Sequence, residues 1–191
     1  LGLGFSLGFP LASDKYLTTK YSLYTAKVKP DINVTAYEKL LGGTDTVSEI
    51  GYLFNFDKRN SRYKPSRGFN FILSQDIAGL GGTSYYYRNK AAYNIYKRLS
   101  DSLIGALKIE AGSVNSYNGK YQPLSSNFRL GGNNLRGFKS GKVGPKIGTS
   151  YTGGQYYYLT SLETNFDFKL DAFDITSTFF VDFGSVWGLE N

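Results

Sequence analysis

Few residues of this chain could do chemistry, and their types limit what that chemistry is. The stretch Phe128–Phe138, FRLGGNNLRGF, breaks the alternating pattern on either side of it. Gly131, Gly132 and Gly137 admit positive φ, and Asn133 and Asn134 favour turns. Inside that turn sits Arg136, between Leu135 and Gly137, with Phe138 following. A guanidinium withdrawn from bulk water needs anionic partners, because leaving it unpaired is costly. Two carboxylates downstream could serve: Glu163 in YYYLTSLETNF and Asp182 in STFFVDFG, both on strand-like apolar stretches. The expected chemistry is ion pairing, with Arg136 reaching both carboxylates from a loop folded into a barrel. The competing reading is a glycine-rich surface turn with a solvated Arg, and pattern alone weighs the two equally.

Covalent chemistry has little to work with. His, Cys and Met are all absent from the 191 residues. That removes a His-based triad, a Cys nucleophile and the usual zinc and haem sites. Glu110, Glu163 and Asp182 fall on separate strands and frame no catalytic motif. An enzyme is the weakest reading, and no cofactor is called for. The formal charge is +7, but its Lys and Arg are scattered among turns and alternating positions. That speaks against a nucleic-acid-binding arm.

The elements that must position these groups are strands. Leu3, Phe5, Leu7 and Phe9 alternate with Gly2, Gly4, Ser6 and Gly8, large apolar on one face and tiny on the other. Seven further stretches alternate likewise: Leu17–Tyr24, Ile50–Phe56, a strand beginning at Phe69 and broken by Gly79–Gly82, Tyr85–Tyr96, Leu103–Gly112, Tyr156–Phe166 and Thr176–Gly184. Turns alternate short (near Ser13, Asn60, Ser100 and Asp171) and long (Asp31–Thr46 and Ser113–Gly154). A helical turn is expected around Ala36–Leu41. Such alternation is the habit of transmembrane β-barrels, and Tyr85, Tyr86, Tyr156, Tyr157 and Trp187 at strand ends suit their interfacial girdles. Lys20, Arg88, Lys90, Lys108 and Glu110 are expected to line the lumen as a solvated, partly paired set, and Asp57 with Arg59 to form a turn and rim feature. A soluble lipocalin-like barrel or sandwich is the alternative fold; it would point the same apolar faces inward. The chain opens and stops in mid-pattern, so it reads as a fragment of a longer protein.

FRLGGNNLRGF, GKVGPK, GGQYYYLTSLETNF and FFVDFGSVWG, in that order and spacing, resemble the BamA-type outer-membrane β-barrel assembly proteins of the BamA/TamA superfamily. GFSLGFPL, LFNFDKRNSRYKPSRGF and LSQDIAGLGG extend the resemblance over nearly the whole chain. It implies an all-β, antiparallel transmembrane barrel, of which residues 1–191 are about eight strands from sixteen, the sixth to the thirteenth. Periplasmic POTRA domains, the first five strands and the last three would lie outside this piece. The resemblance also makes 113–154 a long extracellular loop that carries the tetrad Leu135–Phe138 back into the lumen, where Arg136 meets Glu163 and Asp182. The function it implies is folding and insertion of outer-membrane proteins by strand templating in a Gram-negative-type outer membrane. Partners would be membrane lipids, unfolded client proteins and Bam-complex lipoproteins held through the POTRA domains. A TamA-like or two-partner-secretion pore is the second reading; a passive porin is the third, and it leaves the Arg loop unexplained.

Overall fold

A computed structural model describes residues 1–28, 43–119, 122–170 and 173–189. Eight antiparallel strands form one sheet in simple sequential order, each hydrogen-bonded to its neighbours. They are β1 (Gly2–Ala12), β2 (Lys15–Val28), β3 (Gly43–Asp57), β4 (Gly68–Ala78), β5 (Tyr86–Arg98), β6 (Leu103–Ser116), β9 (Tyr156–Leu170) and β10 (Phe173–Trp187). Between β6 and β9 lies the long loop, with a short 3₁₀ turn at Leu124–Ser126 and a small hairpin of β7 (Lys146–Ile147) and β8 (Ser150–Tyr151). β1 and β10 are the outer members of the sheet and do not pair with each other.

Several strands run beyond the alternating stretches that predict them. β6 continues to Ser116 rather than stopping near Gly112, and β10 spans Phe173–Trp187 rather than Thr176–Gly184. Pairing with a neighbour holds these ends extended where the apolar alternation fades, since backbone ladders do not depend on side-chain type. The helical turn expected at Ala36–Leu41 and the short turn near Asp171 lie outside the described residues.

Register fixes which residues share a face. Asp182 pairs with Ser161 and Phe180 with Glu163 across β9 and β10. Ala106 opposes Glu163 and Lys108 opposes Ser161 across β6 and β9. These residues all lie on the face covered by the loop, and Gly2, Gly4, Ser6 and Gly8 continue it on β1 through their pairing with β2. The opposite face carries Leu3, Phe5, Leu7, Ile50, Leu162, Phe179, Val181 and Phe183, all exposed. A continuous apolar outer surface of this kind would be a liability in water and is what the hydrocarbon of a membrane covers. Among the described residues no helix is long and apolar enough to cross a membrane.

Both margins of the apolar band are marked by aromatic side chains on the outer face. At the short-turn end, Phe69 packs edge-on to Phe56 with centroids 5.2 Å apart and lies 5.7 Å from Tyr93. At the long-loop end, Trp187 sits 6.1 Å from Tyr156 and 6.0 Å from Tyr158. There too Tyr52 donates to Gln75, Gln75 Nε2 donates to Asn89 Oδ1 at 2.7 Å, and Asn89 Nδ2 donates to Ser113 Oγ at 3.4 Å. This ladder satisfies polar groups that could not otherwise border hydrocarbon. Two of the expected girdle residues are placed differently: Tyr86 and Tyr157 are buried on the loop-covered face, at 0% and 3% exposure. Adjacent strand residues point to opposite faces, so a Tyr-Tyr pair cannot supply two girdle rings.

Candidate functional site: an arginine clasp between the loop and the barrel wall

The loop turns back on itself before it reaches the wall. Gly132 N–H donates to the Phe138 carbonyl at 2.7 Å, closing the turn that presents Leu135 and Arg136. Asn134 braces it from inside, accepting from Gly131 N–H at 2.8 Å and donating to the Arg129 carbonyl at 3.2 Å. Gly131 has φ 112°, and a Cβ there would lie 2.1 Å from the Lys139 carbonyl oxygen. Position 131 therefore requires glycine both for conformation and for space.

From this turn Arg136 reaches both carboxylates. Its Nε donates to Asp182 Oδ2 at 2.7 Å and its Nη2 to Asp182 Oδ1 at 2.6 Å, a bidentate fork. Its backbone N–H adds a third bond to Asp182 Oδ2 at 3.1 Å. Nη2 also lies 2.8 Å from Glu163 Oε1 and donates to Ser161 Oγ at 2.7 Å. The guanidinium stands over the Phe180 ring, 3.6 Å from its centroid. Both carboxylates are nearly sequestered, Glu163 at 9% and Asp182 at 7% side-chain exposure. The hydrogen bond to Asp182 raises the Arg136 pKa further above its ordinary value, so the loop carries a fixed positive charge.

Leu135 supplies the apolar half of the contact. It is buried with Leu130 against Tyr157, Leu159 and Val186 of the wall, and Phe128 and Val143 pack on the same cluster. Gly184 makes room, since a Cβ there would meet Leu159 Cδ2 at 2.6 Å and Leu135 Cδ1 at 3.4 Å. The remaining members of the motif behave differently. Gly137 has φ 87°, and nothing lies within 4 Å of where its Cβ would be. Phe138 is 55% exposed.

Sequence reasoning placed Lys108 on the lumen but did not join it to the site. Its ammonium lies 2.7 Å from Glu163 Oε2, so Glu163 is shared between a wall cation and a loop cation. Ser161 and Phe180 were also missed. Both lie on the same face as Glu163 and Asp182 by period two, which is the signal that could have found them. Lys20 and Lys90 are both half-exposed and paired, as a solvated, partly paired set would be: Lys20 lies 2.7 Å from Asp76 and Lys90 3.4 Å from Glu110. Asp57 and Arg59 form a local bidentate pair at the short-turn rim, with 2.8 and 2.7 Å contacts. Among the described residues no cluster of potential metal ligands occurs.

Arg88 forms a second attachment that the sequence did not single out as one. From β5 it donates to the Ser126 carbonyl at 2.7 Å. Its guanidinium lies 5.2 Å from the Tyr86 ring and 5.9 Å from that of Phe128. Tyr86 in turn donates to Glu49 Oε2 at 2.8 Å. The loop is thus held by its own Arg at the tip and by an Arg of the wall near Ser126, besides Tyr117, whose hydroxyl donates to the Ala78 carbonyl at 2.5 Å.

An antiparallel sheet with an apolar outer face, a polar inner face and a loop clasped to that inner face defines a membrane β-barrel wall with an inserted loop. The model for the Omp85 superfamily domain matches residues 1–191. The chain belongs to the Omp85 superfamily, and its sheet is a section of that family's outer-membrane barrel. Among curated proteins it is 30% identical over 141 residues to outer membrane protein assembly factor BamA of Neisseria meningitidis, covering 69% of this chain and 18% of that protein. It is 27% identical over 122 residues to the sorting and assembly machinery component 50 homolog of Mus musculus, covering 63% of this chain and 26% of that protein. A crystal structure of BamA from Haemophilus ducreyi lacking POTRA domains 1–3 superposes with TM-score 0.80 at 21% identity. That match covers 98% of this chain and 41% of the other. The chain therefore spans well under half the length of these relatives.

Proposed function

We propose that this chain is the wall-and-loop portion of an insertase that folds β-barrel proteins into an outer membrane. The observation that carries this reading is the Arg136 clasp, which ties a folded-in loop to two adjacent strands of an Omp85 wall. Named assembly factors among its relatives point the same way. In this reading 117–155 is an extracellular loop, and Leu135–Phe138, Glu163 and Asp182 are its anchoring set. The client is an unfolded outer-membrane protein. Its strands add to an open sheet edge elsewhere in the full barrel, where unpaired N–H and C=O groups accept them by β-augmentation. No covalent bond changes and no cofactor takes part. The clasp keeps the wall from deforming while the edge opens, and accessory lipoproteins bind through periplasmic domains outside this piece.

The setting we propose is the outer membrane of a Gram-negative-type bacterium. The mouse relative favours a second setting, the outer membrane of a eukaryotic organelle, and membrane fractionation of the source cell separates them. The function is tested with the full-length protein in liposomes given an unfolded barrel client. Client insertion that falls with Arg136→Ala supports the insertase. Export of a soluble client across the membrane, with no barrel insertion, would assign the chain instead to a TamA-like or two-partner-secretion pore. Disulfide trapping adds a structural check, because the 191 residues contain no Cys. Arg136→Cys should cross-link to Asp182→Cys or Glu163→Cys, which needs Cα atoms within about 7 Å.

A further inference from the structure

At the end of the sheet opposite the long loop, one connection is longer than its neighbours. Residues 58–67 join β3 to β4, whereas 13–14 join β1 to β2 and 99–102 join β5 to β6. The longer turn is ordered by its own polar groups. Asn60 Oδ1 accepts from Ser66 N–H at 3.0 Å and from Arg67 N–H at 2.9 Å, and Asn60 Nδ2 donates to Ser66 Oγ at 3.0 Å. Asn60 N–H donates to the Arg67 carbonyl at 3.1 Å. Lys64 N–H donates to Ser61 Oγ at 3.2 Å. Arg62, Tyr63 and Lys64 are exposed at the tip of this frame.

From that frame Lys64 reaches a distant part of the wall. Its ammonium lies 2.9 Å from Asp167 Oδ1 on β9 and donates to Thr176 Oγ1 on β10 at 3.4 Å. Asp167 and Thr176 are paired across the two strands, and the Thr176 hydroxyl donates to Asp167 Oδ1 at 2.7 Å. By period two both share the inner face with Glu163 and Asp182. In the sheet, β5 and β6 separate β4 from β9, a gap of about 14 Å at the usual strand spacing. The turn therefore spans the inner side of β5 and β6 at this mouth of the barrel.

The contact is built to release. The Lys64 and Asp167 side chains are 62% and 35% exposed, against 30% and 7% for Arg136 and Asp182. An ion pair this open to water is weak and is screened by salt. The β9–β10 hairpin thus receives the long loop through a nearly sequestered clasp and the β3–β4 turn through an exposed one. We propose that residues 58–67 are a lid on the short-turn mouth of the barrel, latched by Lys64 on Asp167 and Thr176, whose release admits solutes to the inner face of β9 on that side of the Arg136 clasp. Only the membrane wall is needed for this, and the insertase reading is not.

The test uses the full-length protein in nanodiscs, with Asn165→Cys as the sole thiol. Position 165 is on the inner face of β9, one rung deeper than Asp167. The rate of its reaction with a maleimide-linked polyethylene glycol is followed. Lys64→Gln and Asp167→Asn should each speed labelling by up to about fivefold, the range that an exposed ion pair supplies. Lys64→Asp with Asp167→Lys should restore the slow rate. Lys58→Gln, which removes a turn cation 3.8 Å from Asp14, should leave the rate unchanged. High salt should speed labelling of the parent and have little effect on Lys64→Gln. If the latch variants do not fold, the salt titration of the parent decides. Equal rates in Lys64→Gln and its parent overturn the proposal. So does an equal acceleration by Lys58→Gln, which would make the effect one of general turn charge.

Discussion

Two attachments of the inserted loop to the wall are made in opposite senses. At the tip, a loop cation enters the wall and finds two carboxylates, a hydroxyl and an aromatic face waiting for it. Near Ser126, a wall cation reaches out to a single backbone carbonyl and rests between two rings. The first attachment is charge against charge in a nearly sequestered setting. The second is one charge-assisted hydrogen bond supported by stacking. A bidentate pair with nearly buried carboxylates is hard to break locally, because separation leaves two uncompensated charges. A bond to a neutral carbonyl leaves one guanidinium and an uncharged acceptor behind rather than a separated ion pair. The tip should thus be the permanent anchor and the Ser126 end the one that opens first.

The sharpest way to break this comparison is Arg136→Glu. It should lower stability by about 3–5 kcal/mol, as expected for a disrupted buried pair. The full-length barrel should then lose its heat-modified gel mobility at a lower temperature than wild type. An unaltered transition temperature would mean the clasp does not hold the fold.

Leu135→Ala probes the apolar half of the same anchor, where Leu135 is 2% exposed. It should cost about 2–3 kcal/mol from the cavity left against Leu159 and Val186. Chemical denaturation in detergent measures it, and a cost below that of Arg88→Met would reverse the proposed ranking.

Arg88→Met keeps an apolar chain beside Tyr86 and Phe128 but removes the bond to Ser126. A loss of about 1.5 kcal/mol is expected, and it should be local. Hydrogen exchange should quicken in 122–128 while 130–138 stays protected. Equal loosening of both segments would show that the two attachments act as one.

Lys108→Gln should have the smallest effect, about 0.5 kcal/mol, because Lys108 is 40% exposed and Glu163 keeps Arg136. A loss as large as that of Arg136→Glu would mean that Glu163 depends on the wall cation rather than on the loop.

Much of this was legible before the fold. Period-two alternation marked the strands and placed Glu163 and Asp182 on polar faces, because the pleat leaves no freedom in parity. The glycines around Arg136 marked a turn, because few other residues adopt its conformation. Arg88 was legible only as a lumen residue. Its partner is a backbone carbonyl, and a carbonyl carries no sequence signature. Tyr86 and Tyr157 misled for another reason: strand-end tyrosines suit a girdle by composition, but the parity that placed Glu163 also puts Tyr157 on the inner face and leaves only one ring of each Tyr-Tyr pair for the outer one.

The sequence by itself determined the strand class, the two-faced wall, the absence of thiol and imidazole chemistry, and a glycine turn presenting one arginine. Those follow from residue type and from periods set by backbone geometry. The tertiary structure decided that Lys108 shares Glu163, that Gly184 yields space to Leu135, and that a wall arginine holds the loop near Ser126. These depend on contacts between segments far apart in the chain, fixed by strand register and by the path of the loop, and neither is encoded in the spacing of any one stretch.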